Sequence, residues 1–396
     1  MKLNFKHEEF RLAEPGAISK LALLVGVAGL ILSGVGYFLN AKQFFFSYLT
    51  AFTFWITVGL GGLFFTMLHH LTSATWSVVL RRFVEAVMVS LPIMIILFLP
   101  VILGMHDLYH WTHEDAVAQD AVLQKKAPYL NVPFFLIRTL IYFGVWFLLA
   151  RVLYGASLQE DKTPSADLTM KMKRVSAPGM VAFAFTLTFA AFDWMMSLDA
   201  HWYSTIFGVY VFSGSVLAIL AFVTLVAYYL RRNKVLEDVI TIEHFHDLGK
   251  LLFAFTVFWA YIAFSQFMLI WYGNIPEETV WFKHRWVGSW KAVSMIILFG
   301  HFVIPFIVLI TRAAKRNLRI LSFISVWFLV MHWIDLYWII QPNLHHEGAH
   351  FSWMDLTTMA GVGGIFFWLF WTRFASQPLI PVNDPKLEAS IHFENV

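Results

Sequence analysis

Ten stretches of about 20 mostly apolar residues alternate with short polar segments, and this pattern predicts ten membrane-crossing helices. The first five are Ala17–Leu39, Ser47–Leu71, Glu85–Leu103, Pro133–Tyr154 and Pro178–Leu198. The second five are Ser204–Leu230, Leu248–Trp271, Ser289–Thr311, Leu318–Ile340 and Met354–Phe374. Two connections are long enough to fold. In Met105–Leu130, Thr112 and Asp115 make a capping-box-like start, acids follow, and Lys125 and Lys126 close the run, the charge order of a short helix. Gly155–Ala177 is polar, with Asp167, Lys171, Lys173 and Arg174, and reads as a cytoplasmic connection at the level of the lipid headgroups. After Phe374 the chain carries Pro378, Pro381 and Pro385 without apolar periodicity, which predicts an extended C-terminal tail over 375–396.

Composition places the whole chain in the membrane class. Only 13% of its 396 residues are charged, against roughly 25% in soluble domains. With a mean hydropathy of +0.67, an all-α polytopic membrane protein is the expected fold. The net charge of +3 is too small and too dispersed for nucleic-acid binding. The absence of cysteine excludes disulfides, cysteine-ligated iron–sulfur clusters and covalently attached haem on this chain. The first apolar run has no small-residue cleavage site and reads as a retained helix rather than a signal peptide.

Charge asymmetry orients the helices. Alternate segments hold 21 and 7 of the 28 Lys and Arg residues. The richer side, which carries both termini, is expected in the cytoplasm. The turn containing Asp199 and His201 then lies outside.

The stretch Phe189–Gly214 concentrates the candidate chemistry, with Asp193, Asp199 and His201 between two apolar runs. An acid inside a membrane helix is costly and has either a task or a buried partner. Arg138, early in the fourth span, matches the depth of Asp193, so an ion pair fixing helix packing stands beside a proton-accepting or quinone-adjacent carboxylate. His332 and Asp335 are three residues apart and share a helix face, and His301 in the eighth span is placed to face them. These three read either as a proton relay or as polar packing. Two mid-depth histidines also suit bis-histidine haem ligation, but no spacing supports a specific haem motif. Glu85, with His69 and His70 nearby, sits where an inner proton entry would open. Thr50, Thr53 and Thr57 make a helical stripe suited to interhelical hydrogen bonds. His106, His110 and His113 have a spacing that would hold a metal on a helix, but a wet interfacial helix accounts for them better, and no metal site is assigned. Phe192-Asp193-Trp194 in the fifth span is echoed by Trp333-Ile334-Asp335 in the ninth. Two four-helix bundles, roughly 47–198 and 204–340, with flanking helices 17–39 and 354–374, would produce that echo.

The segments FDWMMSLDAHWYSTIFGVYVFSG (192–214) and KAPYLNVPFFLIRTLIYFGVW (126–146) resemble the NrfD/PsrC-like integral membrane subunits, most closely the ActF type of alternative complex III. The resemblance covers nearly the whole chain. It implies a single transmembrane domain in the bacterial inner membrane, within a respiratory quinol:cytochrome c or electron-acceptor oxidoreductase. It implies partners too: a related quinol-oxidising membrane subunit, an iron–sulfur subunit, c-type haem subunits and a terminal oxidase. Those partners carry the redox cofactors, and this chain carries none, with quinone or lipid as its bound small molecules. Relatives with an active quinone site read FD…GWHxTIFPPYF. Here Ala200-His201-Trp202-Tyr203 stands near the Gly-Trp-His position and Gly208-Val209 replaces Pro-Pro. With these departures from the quinone-site pattern, the role expected from the residues is a scaffold that conducts protons past Glu85, then His301 or His332, then Asp335 or Asp193 to the outer side. The alternatives are a quinone site of its own, formed by Arg138, Asp193 and His201, and a secondary transporter. A transporter calls for breaks at matching positions in inverted halves, whereas Pro92, Pro100 and Pro305 do not match.

Overall fold

The computed structural model describes residues 5–6, 9–12 and 16–395. Among them are ten helices long and apolar enough to cross a membrane: Gly16–Leu39, Ala41–Thr72, Val78–Leu103, Val132–Glu160, Ala166–Leu198, Phe207–Arg232, Ile242–Gly273, Trp290–Leu309, Leu318–Asn343 and Trp353–Ala375. They are spans one to ten below. The protein is therefore a multi-pass, all-α membrane protein. Its one sheet among the described residues is a ribbon pairing Phe5–Lys6 with Arg11–Leu12.

Several spans are longer than hydropathy predicts. Span four runs on to Glu160 and span five begins at Ala166, so the polar segment 155–177 is mostly helix around a five-residue turn. Asp167, Lys171, Lys173 and Arg174 ride on helical turns beyond the apolar stretch, and hydropathy alone cannot separate such turns from a loop. Pro178 lies within span five rather than at its start. The proline breaks in span three appear as expected. The helix divides into Val78–Met88, Leu91–Leu97 and Leu99–Leu103, with Pro92 and Pro100 in the first turns of the last two pieces, where their missing N–H costs least. In span eight Pro305 has no N–H for the carbonyl of His301, and the helix there widens into a π turn over Ile297–Val303.

The segment after span three folds differently from its predicted cap. Thr112 Oγ1 donates to the Tyr109 carbonyl at 2.7 Å and does not cap the helix that starts at Glu114. The side-chain cap is Asp120, which accepts from Val122 N and Leu123 N at the start of Ala121–Lys126. The C-terminal tail is not a free extension. Leu379 and Ile380 are fully buried, and Ser390 Oγ donates to the Trp76 carbonyl at 3.1 Å.

Spans two and six form the centre, and 83% of an apolar 18-residue stretch of each is buried. Span two touches spans one, three, four, five, six, nine and ten. Span six packs on spans two, three, five, seven and nine. Span one is held almost entirely by span ten. A Cβ added at Gly29 would lie 2.4 Å from Gly361 N, and one at Gly364 would lie 2.3 Å from Gly26 N, so the two backbones touch. Small residues allow this approach and van der Waals packing then holds the pair. Gly29→Val is expected to separate spans one and ten and to cost about 1–3 kcal/mol. The thermal unfolding midpoint of purified protein checks this, and an unchanged midpoint would refute the close packing.

Candidate functional site

Five spans contribute to one buried polar group. Asp335 on span nine is 2% exposed. Tyr210 of span six donates its hydroxyl to Asp335 Oδ1, and Trp259 Nε1 of span seven lies 3.3 Å from Oδ2. No cationic side chain pairs with this carboxyl among the described residues. One turn earlier, His332 Nε2 is 2.8 Å from Thr57 Oγ1 of span two, while its Nδ1 has no partner. His301 of span eight is fully buried at the π turn, with its ring 3.9 Å from that of Trp259 and neither nitrogen hydrogen-bonded. The predicted neighbourhood of His301, His332 and Asp335 therefore forms, with Trp259 as the link. Thr57 joins it, whereas Tyr210 and Trp259 carried no signal in the sequence beyond being polar-tipped aromatics in apolar runs.

Asp193 has the opposite environment. Arg138 grips it with two parallel hydrogen bonds, Nε to Oδ2 at 2.8 Å and a terminal nitrogen to Oδ1 at 2.9 Å. Tyr142 donates to Oδ2 at 2.7 Å. The guanidinium also donates to the Tyr129 carbonyl at 2.9 Å and stacks on the Tyr129 ring at 3.8 Å. The adjacent space is filled by Trp194, whose ring contacts those of Phe98, Phe143 and Trp146. The two echoed acids thus each accept from a tyrosine, and among the described residues only Asp193 has a cation.

Glu85 is held in an ion network at the face that carries the termini. Arg81 reaches Glu85 at 3.2 Å, Glu160 at 3.1 Å and Asp384 of the tail. Arg82 reaches Glu85 at 2.8 Å and also pairs with Asp161. Ser157 donates to Glu85 at 2.9 Å. Arg81, Arg82 and Glu85 are at most 1% exposed. Two guanidiniums face four carboxylates, and burial pushes the carboxyl of Asp161 up to about 6 against the pull of Arg82. None of the partners of Glu85 touches the Asp335 group. Arg81 and Arg82 precede Glu85 by one helical turn in the chain, whereas nothing in the sequence assigned Glu160, Asp161 and Asp384 to it.

His201 is on the opposite face, exposed, with Nε2 2.6 Å from Asp120 Oδ2. That hydrogen bond holds the Asp120 carboxyl below its ordinary value. His201 does not meet Arg138 or Asp193, so the three form no common site. His106 and His113 stack at 4.0 Å, and His113 Nε2 donates to the His106 carbonyl at 2.7 Å.

A cleft of about 740 Å³ opens between spans seven and eight. Tyr210 and Trp259, the two partners of Asp335, belong to its wall, with Phe264, Gln266, Leu298 and Arg285. No protein-family model matches the chain, and no curated protein matches it in sequence.

Proposed function

We propose that the chain is a membrane subunit of a respiratory quinol:electron-acceptor oxidoreductase, which scaffolds its partners and carries protons through the Asp335 group. One observation carries this reading. Of the two echoed intramembrane acids, Asp193 is neutralised by a bidentate arginine, whereas Asp335 has only neutral donors around it among the described residues and two histidines close by. An intramembrane acid without a counter-charge is a functional group by default. A π turn at His301 is a feature often found at functional sites. Glu85 and Asp193, both gripped by guanidiniums, hold the fold together. The transported proton passes among His301, His332 and Asp335.

In the proposed subunit the spans fall into two groups. Spans two to five and six to nine form two four-helix bundles, with spans one and ten at the periphery and both termini in the cytoplasm of a bacterial inner membrane. Contacts among spans two to five, and among spans six to nine, support the grouping. The 21-to-7 distribution of basic residues supports the orientation. The iron–sulfur, c-type haem and quinol-oxidising subunits of an alternative complex III are the partners, and they supply the redox cofactors.

Asp335→Asn is nearly isosteric and removes the exchangeable carboxyl proton. In vesicles containing the intact complex, proton transfer through this subunit is expected to fall about 100-fold. Asp193→Asn is expected to leave proton release per turnover unchanged once the amount of assembled complex is normalised. Full turnover with full proton release in Asp335→Asn would overturn the assignment.

A further inference from the structure

The cleft between spans seven and eight has three features that the proton-carrying group does not need. First, it is mostly apolar and opens sideways beside lipid-facing side chains. Phe264 is 60% exposed and Leu298 is 46% exposed. Trp259 and Trp271, which both line it, are 12 residues apart on one helix. That spacing is about 18 Å at 1.5 Å per residue, close to the half-thickness of a hydrocarbon core about 30 Å deep. The groove is as long as one leaflet is thick.

Second, a donor inside the groove has no partner. Gln266 is 3% exposed and lines the cleft. Its carbonyl oxygen accepts from Ser204 Oγ at 3.0 Å, while its Nε2 makes no hydrogen bond among the described residues. An amide nitrogen left unpaired at the wall of an apolar cleft is costly, and an acceptor in the cleft would relieve it.

Third, positive charge gathers at the mouth. Lys283 and Arg285 line it, and Lys291 lies beside it with Nζ 5.4 Å from the exposed Trp286 ring. These are three of the seven basic residues on that side of the protein. Lys283 has no ion-pair or hydrogen-bond partner among the described residues. Arg285 is buried and donates to the carbonyls of Trp281, Trp338 and Ile339, with no carboxylate in contact. The acids Glu277 and Glu278 belong to the first turn of the same short helix, Pro276–His284, while Lys283 belongs to its last.

We propose that this cleft is a binding site for an anionic phospholipid. The phosphate sits at Lys283 within the field of Arg285 and Lys291. An ester carbonyl of the glycerol accepts from Gln266 Nε2, and one acyl chain lies along Ala263, Phe264, Leu298 and Phe302. The inference is independent of whether Asp335 carries protons.

Native mass spectrometry of the purified protein, supplied with phosphatidylglycerol or phosphatidylcholine of matched chains, tests it. The wild-type protein is expected to retain phosphatidylglycerol preferentially. Lys283→Gln should weaken that retention about five-fold. Ala263→Phe, which fills the groove, should abolish the tight site at an unchanged unfolding midpoint. Glycerol phosphate, a head without a chain, should not compete. Equal retention of the two lipids, retention unaffected by Ala263→Phe, competition by glycerol phosphate, or displacement by a long-chain quinone at stoichiometric amounts would each overturn the proposal.

Discussion

Arg138→Met is expected to destabilise the folded protein by about 3–5 kcal/mol, because it leaves Asp193 buried without its counter-charge. Asp193 is fully buried, and no other cation among the described residues lies within hydrogen-bonding range of it. Arg138→Lys should recover only part of the loss. A lysine delivers one point charge, whereas the guanidinium makes two parallel hydrogen bonds and stacks on the rings of Tyr129 and Phe134 at 3.8 and 4.3 Å. The double variant Arg138→Met/Asp193→Leu should be more stable than Arg138→Met, since it removes the stranded charge together with its partner. It will not reach wild type, because the Tyr142 hydroxyl then loses its acceptor, at a cost of about 1–3 kcal/mol. Denaturation midpoints of the three variants in detergent measure this order. A double variant no better than the single one would show that the pair does not act as a unit.

Arg81→Met should be at least as damaging, with a loss of about 3–5 kcal/mol. Arg81 is 1% exposed and contacts Glu85, Glu160 and Asp384, so its removal leaves Arg82 to face four carboxylates. The loss should also depend on pH. Burial already raises Asp161 to about 6, and the field of Arg81 is among the influences that pull it down. A carboxyl raised in the folded state contributes stability at low pH and loses it as pH rises through the folded value. In Arg81→Met that value moves further up, so the deficit relative to wild type should shrink as pH falls from 8 to about 5. Asp384→Asn removes one of three partners and should have a smaller effect, together with looser docking of the tail. Limited proteolysis of residues 376–395 reads the docking. A pH-independent deficit would mean that electrostatics is not its cause.

Much of the fold was readable in the chain. The number of spans, the breaks at Pro92 and Pro100 and the match in depth between Arg138 and Asp193 all follow from local composition and helical rise. Boundaries were less readable where charged residues continue a helix beyond its apolar part, as at Glu160 and Ala166. The tail misled because three prolines remove periodicity without preventing Leu379 and Ile380 from being buried. His201 illustrates the same limit. It stands eight residues from Asp193 in sequence, yet the helix end and the turn carry it to the surface beside Asp120.

By itself, the sequence determined that the protein is a ten-span membrane protein with a small set of intramembrane acids and histidines. Hydropathy is a property of neighbouring residues, and each helix satisfies its own backbone in lipid, so both can be read locally. Only the tertiary structure decided which charges are neutralised. Arg138 meets Asp193 across 55 residues, Thr57 meets His332 across 275, and Arg81 meets Asp384 across 303. Whether a buried acid is paired or left among neutral donors depends on which distant helix faces it. That choice separates Asp193, which is ion-paired with Arg138, from Asp335, which has no counter-charge among the described residues.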